Sequence, residues 1–216
     1  MSFTLVVCGQ ATTKITAVPF SILKPGKYVL ATNLTLSGNN VTAITVNKSN
    51  VVIELNGFTL STAGSSNTGV SVATTVNNVT VQDGTISGFD FGITLQGAQQ
   101  SVQNVRLFTG VYGVLASSCT FSSIQNCLIL GVNSSSGIGV DLDTCSNVVV
   151  QNNQLATVGN GCFSSGSTGG NSFIANYISN CITGLNLESG DKYEGNVATG
   201  CTTDFTGGLL VGQENG

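Results

Sequence analysis

One polar position recurs along most of the chain at intervals of twenty to twenty-seven residues. At each recurrence an Asn or Asp follows a short apolar segment and precedes a turn. The seven positions, spaced by 27, 21, 22, 26, 24 and 20 residues, are Asn56, Asp83, Asn104, Asn126, Asn152, Asn176 and Asn196. A strand-and-turn unit repeated at such a period is typical of a solenoid. We expect these side chains to form a structural ladder at one corner, because Asn and Asp tolerate the left-handed backbone conformation of a sharp turn.

A second pattern accompanies these positions. Upstream of each lies a small residue and then an alternating strand, as in Gly69-Val70-Ser71-Val72 and Gly139-Val140-Asp141-Leu142. Alternation with a period of two places one set of side chains inside the fold and the other outside. Two further short strands follow in each repeat. The sequence therefore predicts an all-β parallel solenoid of about seven to nine coils, with three short parallel strands in each coil.

The chain length suits one domain with distinct ends. We expect residues 1–34 to form an N-terminal cap, residues 35–203 to form the solenoid, and residues 204–216 to form a C-terminal cap or a docking tail. A polar row is also predicted immediately before the corner. Its members are Glu54, Gln82, Gln103, Gln125 and Gln151.

The composition fits a solenoid with a surface of small polar side chains. Only 7% of the residues are charged and the net charge is −4, whereas roughly 25% are charged in typical domains. Four of the six basic residues precede residue 50, so we expect no nucleic-acid partner, which would need clustered cations. No apolar stretch is long enough for a membrane helix, and no basic segment followed by an apolar one comes after Met1. We therefore predict neither membrane insertion nor a secretory signal.

The chain has seven cysteines and no His, which determines the metal sites and disulfides that are to be expected. Cys119 and Cys145 occupy equivalent positions of neighbouring repeats, and so do Cys181 and Cys201. Side chains stacked in this way run parallel, which is an awkward geometry for a disulfide, so we expect reduced and buried thiols. Without His or Cys-x-x-Cys, neither a metal site nor another cofactor is predicted.

Two segments resemble the opening coils of a known superfamily. They run from Val52 to Ser61 (VIELNGFTLS) and from Asn78 to Gly88 (NVTVQDGTISG), and Gly-Val-x-Leu and Val-Gln-Asn units follow them. These residues resemble the right-handed parallel β-helix proteins of the pectin-lyase-like superfamily, over about residues 35 to 200. The resemblance implies a right-handed parallel β-helix. It implies no single activity, because that superfamily includes polysaccharide lyases, hydrolases and epimerases together with phage tailspikes, adhesins and other surface proteins.

The superfamily's best-known catalytic motifs are missing. Its polygalacturonases carry Asn-Thr-Asp, paired Asp, Gly-His-Gly and Arg-Ile-Lys motifs, whereas this chain has no His, no Asp-Asp and no Arg-Ile-Lys. Its pectate lyases use a catalytic Arg beside calcium-binding carboxylates. Arg106 is the sole arginine, and its register places it on the third strand of its coil, away from the strand that bears most of the acids. Polygalacturonase activity is therefore excluded, and a lyase site at Arg106 is not expected.

One group of outward-facing residues is a candidate catalytic or ligand-binding site. Asp141 and Asp143 share a strand face at a separation of about 7 Å, and Glu188 lies about 10 Å further along the axis. Leu115 and Phe163 are their apolar neighbours, which we expect to be exposed. Such carboxylates can act as acid and base in glycoside cleavage or bind calcium, and a ring suits sugar stacking. The alternative interpretation is a solvated acidic patch with no ligand.

Three functions remain open. The favoured one is a non-catalytic structural or surface protein of the fibre, adhesin or virion type, with glycans or other surface proteins as partners, self-association into homo-oligomers, and an extracellular, virion or cell-surface location. The second is a carbohydrate-active enzyme that uses the carboxylates named above, with calcium as a cofactor. The third is an ice-binding solenoid, which needs a regular Thr array; Ser71 and Leu115 interrupt the one formed by Thr45 and Thr94.

Overall fold

The computed structural model describes residues 12–131, 137–156, 158–167 and 169–211. These residues form β-strands and no helix, and the strands stack in parallel into a solenoid of about eight coils. The predicted fold class is confirmed. The sequence consists of short segments of alternating apolar residues separated by Asn, Gly and Ser. Each segment forms one short strand, which gains its hydrogen bonds from the equivalent strands of the coils on either side, so the strands stack in parallel.

Short strands follow one another along the chain with turns between them. The first twelve are β1 (Thr12–Ile15), β2 (Phe20–Ile22), β3 (Gly26–Leu30), β4 (Leu34–Leu36), β5 (Thr42–Val46), β6 (Val51–Glu54), β7 (Thr59–Thr62), β8 (Thr68–Val72), β9 (Val79–Ser87), β10 (Phe91–Ala98), β11 (Ser101–Thr109) and β12 (Tyr112–Thr120). The remainder are β13 (Ser123–Gln125), β14 (Leu128–Gly131), β15 (Ile138–Asp143), β16 (Val149–Gln151), β17 (Gln154–Ala156), β18 (Asn160–Ser165), β19 (Ser172–Ile174), β20 (Tyr177–Ser179), β21 (Thr183–Asn186), β22 (Lys192–Glu194), β23 (Val197–Thr199), β24 (Thr203–Thr206) and β25 (Leu209–Leu210).

Each coil contributes strands to three faces. Face 1 is a 9-stranded sheet in the order β2-β5-β8-β10-β12-β15-β18-β21-β24. Face 2 runs β1-β3-β6-β9-β11-β13-β16-β19-β22-β25, and face 3 contains β4, β7, β14, β17, β20 and β23. Strands β9 and β11 are long enough to cross from face 2 to face 3, so these two faces form a single 16-stranded sheet.

An aliphatic core runs along the axis between the three faces. The inward positions predicted on face 1 are buried, among them Ile44, Val70, Ile93, Val114, Val140 and Leu185. Faces 2 and 3 add inward residues such as Ile53, Val102 and Leu155, all fully buried. Each such side chain stabilises the fold by about 1.5–3 kcal/mol relative to an exposed one. The core therefore extends through nearly every coil.

From β8 to β21, the second residue of each face 1 strand is a glycine that lies against the backbone of the next coil. A methyl group on Gly139 would lie 2.6 Å from the carbonyl oxygen of Gly161 and 2.5 Å from Cδ2 of Leu155. Comparable contacts surround the equivalent residues of the other coils. They are Gly69, Gly92, Gly113, Gly161 and Gly184. Glycine recurs in this column because the neighbouring backbone leaves no room for a Cβ atom.

The corner between faces 2 and 3 has the left-handed backbone that the Asn register predicts. The residues with a φ of 54–59° there are Asn56, Asp83, Asn104, Asn126 and Asn152. Asn104 Nδ2 also donates a hydrogen bond to Asp83 Oδ1 at 3.0 Å. In the next two coils the left-handed residues are Ala175 and Gly195 instead, with φ of 51° and 61°.

Asn176 and Asn196 therefore do not belong to the predicted ladder. The pairing of β17 with β20 and of β20 with β23 aligns them with Asn153, one position later. The sequence already contains the distinguishing signal. Asp83, Asn104, Asn126 and Asn152 each precede the inward apolar residue of face 3 by three positions, whereas Asn176 precedes Ile178 by two. The shift of one residue turns the side chain from the outside to the inside of the coil.

The displaced residues form a ladder inside the corner. Asn153 is buried, and its Oδ1 accepts a bond of 2.9 Å from the Cys127 backbone N–H while its Nδ2 donates to the Ile124 carbonyl at 3.0 Å. Asn176 repeats the arrangement, accepting from the Asn153 backbone N–H at 3.0 Å and donating to the Val150 carbonyl at 2.9 Å. This ladder satisfies backbone groups that a turn cannot pair within its own coil.

The predicted polar row is a second ladder, on the outside of face 2. Each Gln amide nitrogen donates to the carbonyl or carboxylate oxygen of the coil before it, at distances of 2.6–3.2 Å. Glu54 ends the row and lies 3.6 Å from Lys27 Nζ. The complete series is Glu54, Gln82, Gln103, Gln125 and Gln151. The strand register carries this row through five coils.

The ends differ from the middle of the solenoid. Strands β1, β2 and β3 lie within the residues predicted as an N-terminal cap, and all three pair in parallel with other strands. At the other end, β24 and β25 are exposed along their whole length. The capping roles of residues 1–34 and 204–216 remain predictions.

The six cysteines that lie in the described residues are free thiols, five of them buried, as the sequence predicts. Cys119 and Cys145 are neighbours on adjacent coils, and the Cys119 backbone N–H lies 3.3 Å from Cys145 Sγ. Burial raises the pKa of Cys127 and Cys181 to about 11. Cys8 lies outside the described residues.

Candidate functional site

The candidate site lies on the outer surface of face 1, where β15 is flanked by β12 and β18. Val140 and Leu142 of β15 point into the core, so Asp141 and Asp143 point outward. The strand register places Asp141 between Leu115 and Phe163, and it places Asp143 between Ser117 and Ser165. Strands of one sheet lie about 4.8 Å apart, so these side chains are direct neighbours along the axis.

Asp141 is buried although it belongs to the outer row. It is 7% exposed, and its Oδ1 has no hydrogen-bond partner among the described residues. Burial raises the pKa of this carboxyl from 3.8 to about 6, and the negative charge of Asp143 adds to the shift. Loss of hydration penalises the charged form, and no nearby cation compensates within the described residues. Asp141 is thus a carboxyl that can hold a proton in weakly acidic solution.

Asp143 and Glu188 are exposed, in contrast to Asp141. Glu188 follows β21, in which Asn186 pairs with Phe163, so Glu188 lies two coils beyond Asp143 on the same side of the face. Its Oε1 accepts a bond of 3.3 Å from the Gly166 backbone N–H. The structure therefore places all three acids on one face, and Asp141 and Asp143 are the closer pair.

Leu115 and Phe163 are half-buried, which differs from the exposure predicted for them. Both residues pair with Asp141 in the strand register, so their side chains flank its carboxyl on the outer side of face 1. An aliphatic chain on one side and a ring on the other exclude water from the carboxyl between them. The same contacts that cover part of the two apolar side chains thus explain why Asp141 is buried.

Two further buried polar groups were not predicted from the sequence. Asp191 is fully buried in the inner corner between faces 1 and 2, where its Oδ1 accepts a bond of 3.3 Å from Ser167 Oγ and its Oδ2 has no partner among the described residues. Ser164 faces the core beside Leu142, and its Oγ is also unpartnered there. Asp191 aligns with Asn171, so the register of β19 and β22 was the signal that could have found it.

Arg106 lies on a different face from the acids. It belongs to the part of β11 that pairs with β14 on face 3, as its position in the repeat predicts. Its guanidinium carbon lies 5.9 Å from the centre of the Phe108 ring. The structure therefore does not bring Arg106 together with Asp141 or Asp143.

The acids of the described part of the chain do not cluster as metal ligands do. Within residues 12–131, 137–156, 158–167 and 169–211, no group of three or more Cys, Asp or Glu is placed to hold a metal ion. The same residues contain no helix with the length and apolarity that a membrane crossing requires.

No protein-family model matches the chain, and no curated protein matches its sequence. The parallel β-solenoid is established by the strand pairing itself.

Proposed function

We propose that the protein is a non-catalytic structural or surface component, a stiff β-solenoid of the fibre, adhesin or virion type that displays polar faces and binds glycans. The observation that carries this proposal is the continuity of the stack. All three faces, the aliphatic core and the Gln row run from coil to coil, so the molecule is a rod of about eight layers at about 4.8 Å each. Bending such a rod would stretch the hydrogen bonds between coils on its convex side, so the stack resists bending.

The resemblance to the pectin-lyase-like superfamily supports the same role, because that superfamily includes tailspikes and adhesins. Face 1 supplies the surface for a glycan. Phe163 offers part of a ring for stacking, and the exposed carboxylate of Asp143 can accept hydrogen bonds from sugar hydroxyls. We place the protein outside the cell or on a virion or cell surface, where a rod with this surface would meet glycans and other surface proteins.

A glycan array tests the binding role. We expect the wild-type chain to bind a subset of glycans and Phe163→Ala and Asp143→Asn to lose that binding, while Arg106→Gln on face 3 retains it. Binding that all three variants retain would move the glycan site away from face 1. If the chain binds no glycan, the glycan-binding part of the proposal is wrong and the structural part stands alone.

The second candidate function is a carbohydrate-active enzyme, and one observation favours it. Asp141 has a pKa of about 6 beside the exposed carboxyl of Asp143. In glycosidases, a buried carboxyl that keeps its proton acts as the general acid, and a neighbouring solvated carboxylate acts as the base or nucleophile. Glu188 is the third carboxylate of the face. The exposed acids could bind calcium through oxygen if the reaction were a lyase type.

A polysaccharide panel distinguishes the two functions. The structural role predicts no release of reducing ends or unsaturated sugars from acidic or neutral polysaccharides, with or without added calcium. The enzymatic role predicts release that Asp141→Asn and Asp143→Asn each abolish and that changes with pH near 6. Turnover that both variants abolish would replace the structural proposal with the enzymatic one.

A further inference from the structure

Charge is segregated along the axis of the solenoid. Residues 1–50 contain Lys14, Lys24, Lys27 and Lys48 and no Asp or Glu. Residues 181–211 contain one Lys and four acids, which are Glu188, Asp191, Glu194 and Asp204. Because the strand order follows the chain from one end of each sheet to the other, position in the sequence corresponds to position along the axis. The N-terminal end is therefore positive and the C-terminal end negative.

Charges at both ends are accessible. Lys14, Lys24 and Lys48 are exposed, and the one ion pair within the described residues joins Lys27 to Glu54. At the opposite end Glu194 and Asp204 are exposed.

Both ends are also open sheet edges in the described part of the chain. On face 1 the first strand is β2 and the last is β24, and on face 2 the first is β1 and the last is β25. Each of these pairs with other strands on one side only. Unpaired N–H and C=O groups on such an edge are a template for another strand.

Apolar side chains are exposed beside these edges. Leu209 is 56% and Leu210 47% exposed at the C-terminal end, where the Phe205 ring stacks on Tyr193 at 5.5 Å. Leu23 is 61% exposed at the N-terminal end. Exposed apolar groups of this size next to an open edge are typical of a surface that another chain covers.

We infer that copies of this chain associate head to tail, with the N-terminal end of one copy seated on the C-terminal end of the next. All strands in the solenoid are parallel, so a second copy on the same axis continues each face in the same strand direction. The charges select this orientation, because two N-terminal ends or two C-terminal ends would bring like charges together. A contact between two different surfaces of the same molecule that repeats along one axis does not close into a ring, so it propagates into a filament. The inference rests on the proposed structural role, and it specifies that the N-terminal end of one rod contacts the C-terminal end of the next.

Sedimentation velocity on the purified full chain, over a range of protein concentrations, tests the association. We expect the mean mass to rise above 22.0 kDa with concentration at low salt. We expect it to fall as NaCl is raised from about 20 mM to about 500 mM, because the Debye length then shortens from about 20 Å to about 4 Å. Electron microscopy should show single-file rods whose lengths are multiples of one molecule. A monomer at every concentration and salt would overturn the inference without affecting the glycan or polysaccharide tests.

Charge reversal at one end at a time tests the orientation. Lys14→Glu, Lys24→Glu and Lys48→Glu together leave one Lys and three Glu in residues 1–50, so both ends are negative. Glu188→Lys, Glu194→Lys and Asp204→Lys together leave four Lys and one acid in residues 181–211, so both ends are positive. Each triple variant alone should associate at least about tenfold more weakly than wild type. An equimolar mixture of the two should recover the association, because every junction again joins opposite charges.

The recovery excludes misfolding as the cause of the loss, because two misfolded proteins would not restore a specific contact. Arg106→Glu, which reverses an exposed charge on face 3, is the matched control and should associate like wild type. The head-to-tail contact would be overturned if both triple variants retain the association, if the particle is limited to a dimer, or if the mixture fails to recover. If a different protein binds to one end and the chain does not self-associate, the partner is that protein and the head-to-tail contact is also overturned.

Discussion

At the scale of single residues, neighbouring side chains determine the burial and the pKa of a carboxyl group. Asp141 and Asp143 are two positions apart on one strand, yet the first is buried between Leu115 and Phe163 and the second is in water. Burial raises the pKa of Asp141 to about 6, above the 3.8 expected for an exposed Asp. The folded state therefore binds a proton more tightly than the unfolded state does, and Asp141 costs stability at every pH at which the unfolded state has lost that proton.

The first prediction concerns this pH dependence. The cost should be absent below about pH 4, grow as the pH rises from about 4 to about 6, and stay constant above that. Asp141→Asn removes the charge, so it should raise the free energy of unfolding by about 1–3 kcal/mol at pH 7 and change it little at pH 4. Urea unfolding at pH 4, 5.5 and 7 measures this difference. Asp143→Asn is the control and should have a smaller effect at every pH, and equal curves for wild type and Asp141→Asn would refute the prediction.

The second prediction concerns the inward glycine column. Gly139→Ala places a methyl group 2.6 Å from the Gly161 carbonyl oxygen and 2.5 Å from Leu155. Both belong to packed coils that cannot move apart locally, so we expect a loss of about 1–3 kcal/mol in thermal or urea unfolding. Gly110→Ala is the matched control, since its nearest contact is a side-chain oxygen of Asp90 at 2.8 Å and not the backbone of the next coil. Equal stability of the two variants would show that the coils adjust freely.

At the scale of elements, Asn residues at the strand ends supply either a left-handed backbone conformation or hydrogen bonds to backbone groups. Asn152 and Asn153 are adjacent in sequence and serve different purposes. Asn152 adopts a left-handed backbone with its side chain exposed, whereas Asn153 is buried and bonds to backbone groups of the neighbouring coil. The first contribution is one of backbone conformation and the second is one of hydrogen bonding.

The third prediction separates these two contributions. Asn153→Ala leaves the Cys127 N–H and the Ile124 carbonyl without the partners they have now. It should cost about 2–4 kcal/mol, because both groups are buried in the corner. Asn152→Gly should change stability by less than about 0.5 kcal/mol, since glycine adopts the same left-handed backbone without strain. Chemical denaturation of the two variants checks the difference, and a similar cost for both would mean that backbone conformation alone governs the corner.

At the scale of the whole molecule, stability depends on how many neighbours a coil has. An interior coil is hydrogen-bonded on both sides along all three faces, while the last coil has a partner on one side in the described part of the chain. Burial follows the same trend, from the fully buried inward residues of β12 and β13 to the fully exposed β24. In a solenoid with nearest-neighbour contacts, opening is therefore expected to begin at the ends.

The fourth prediction is a gradient of amide hydrogen exchange along the axis. Peptides covering β22 to β25 should exchange fastest, and peptides covering β11 to β16 should exchange slowest, by several orders of magnitude. Mass spectrometry of the native protein at a concentration where it is monomeric measures the gradient. If the rods stack as inferred, raising the concentration should slow exchange in β24 and β25 and leave β11 to β16 unchanged. Uniform protection along the chain would contradict the nearest-neighbour picture.

Local sequence was enough to specify the coil architecture, the inward aliphatic rows and most of the left-handed corner, because these depend on alternation, small residues and Asn at fixed spacing. Asn176 could have been separated from the corner by its distance to Ile178. Features that depend on contacts between coils emerged only from the folded molecule. Stacking bonded the side chain of Asn153 to backbone groups of the coil before it, and it buried the outward carboxyl of Asp141 between side chains from two other coils. Spacing within one coil specifies a backbone, but the burial and pairing of a side chain depend on residues about twenty positions away that only stacking brings together.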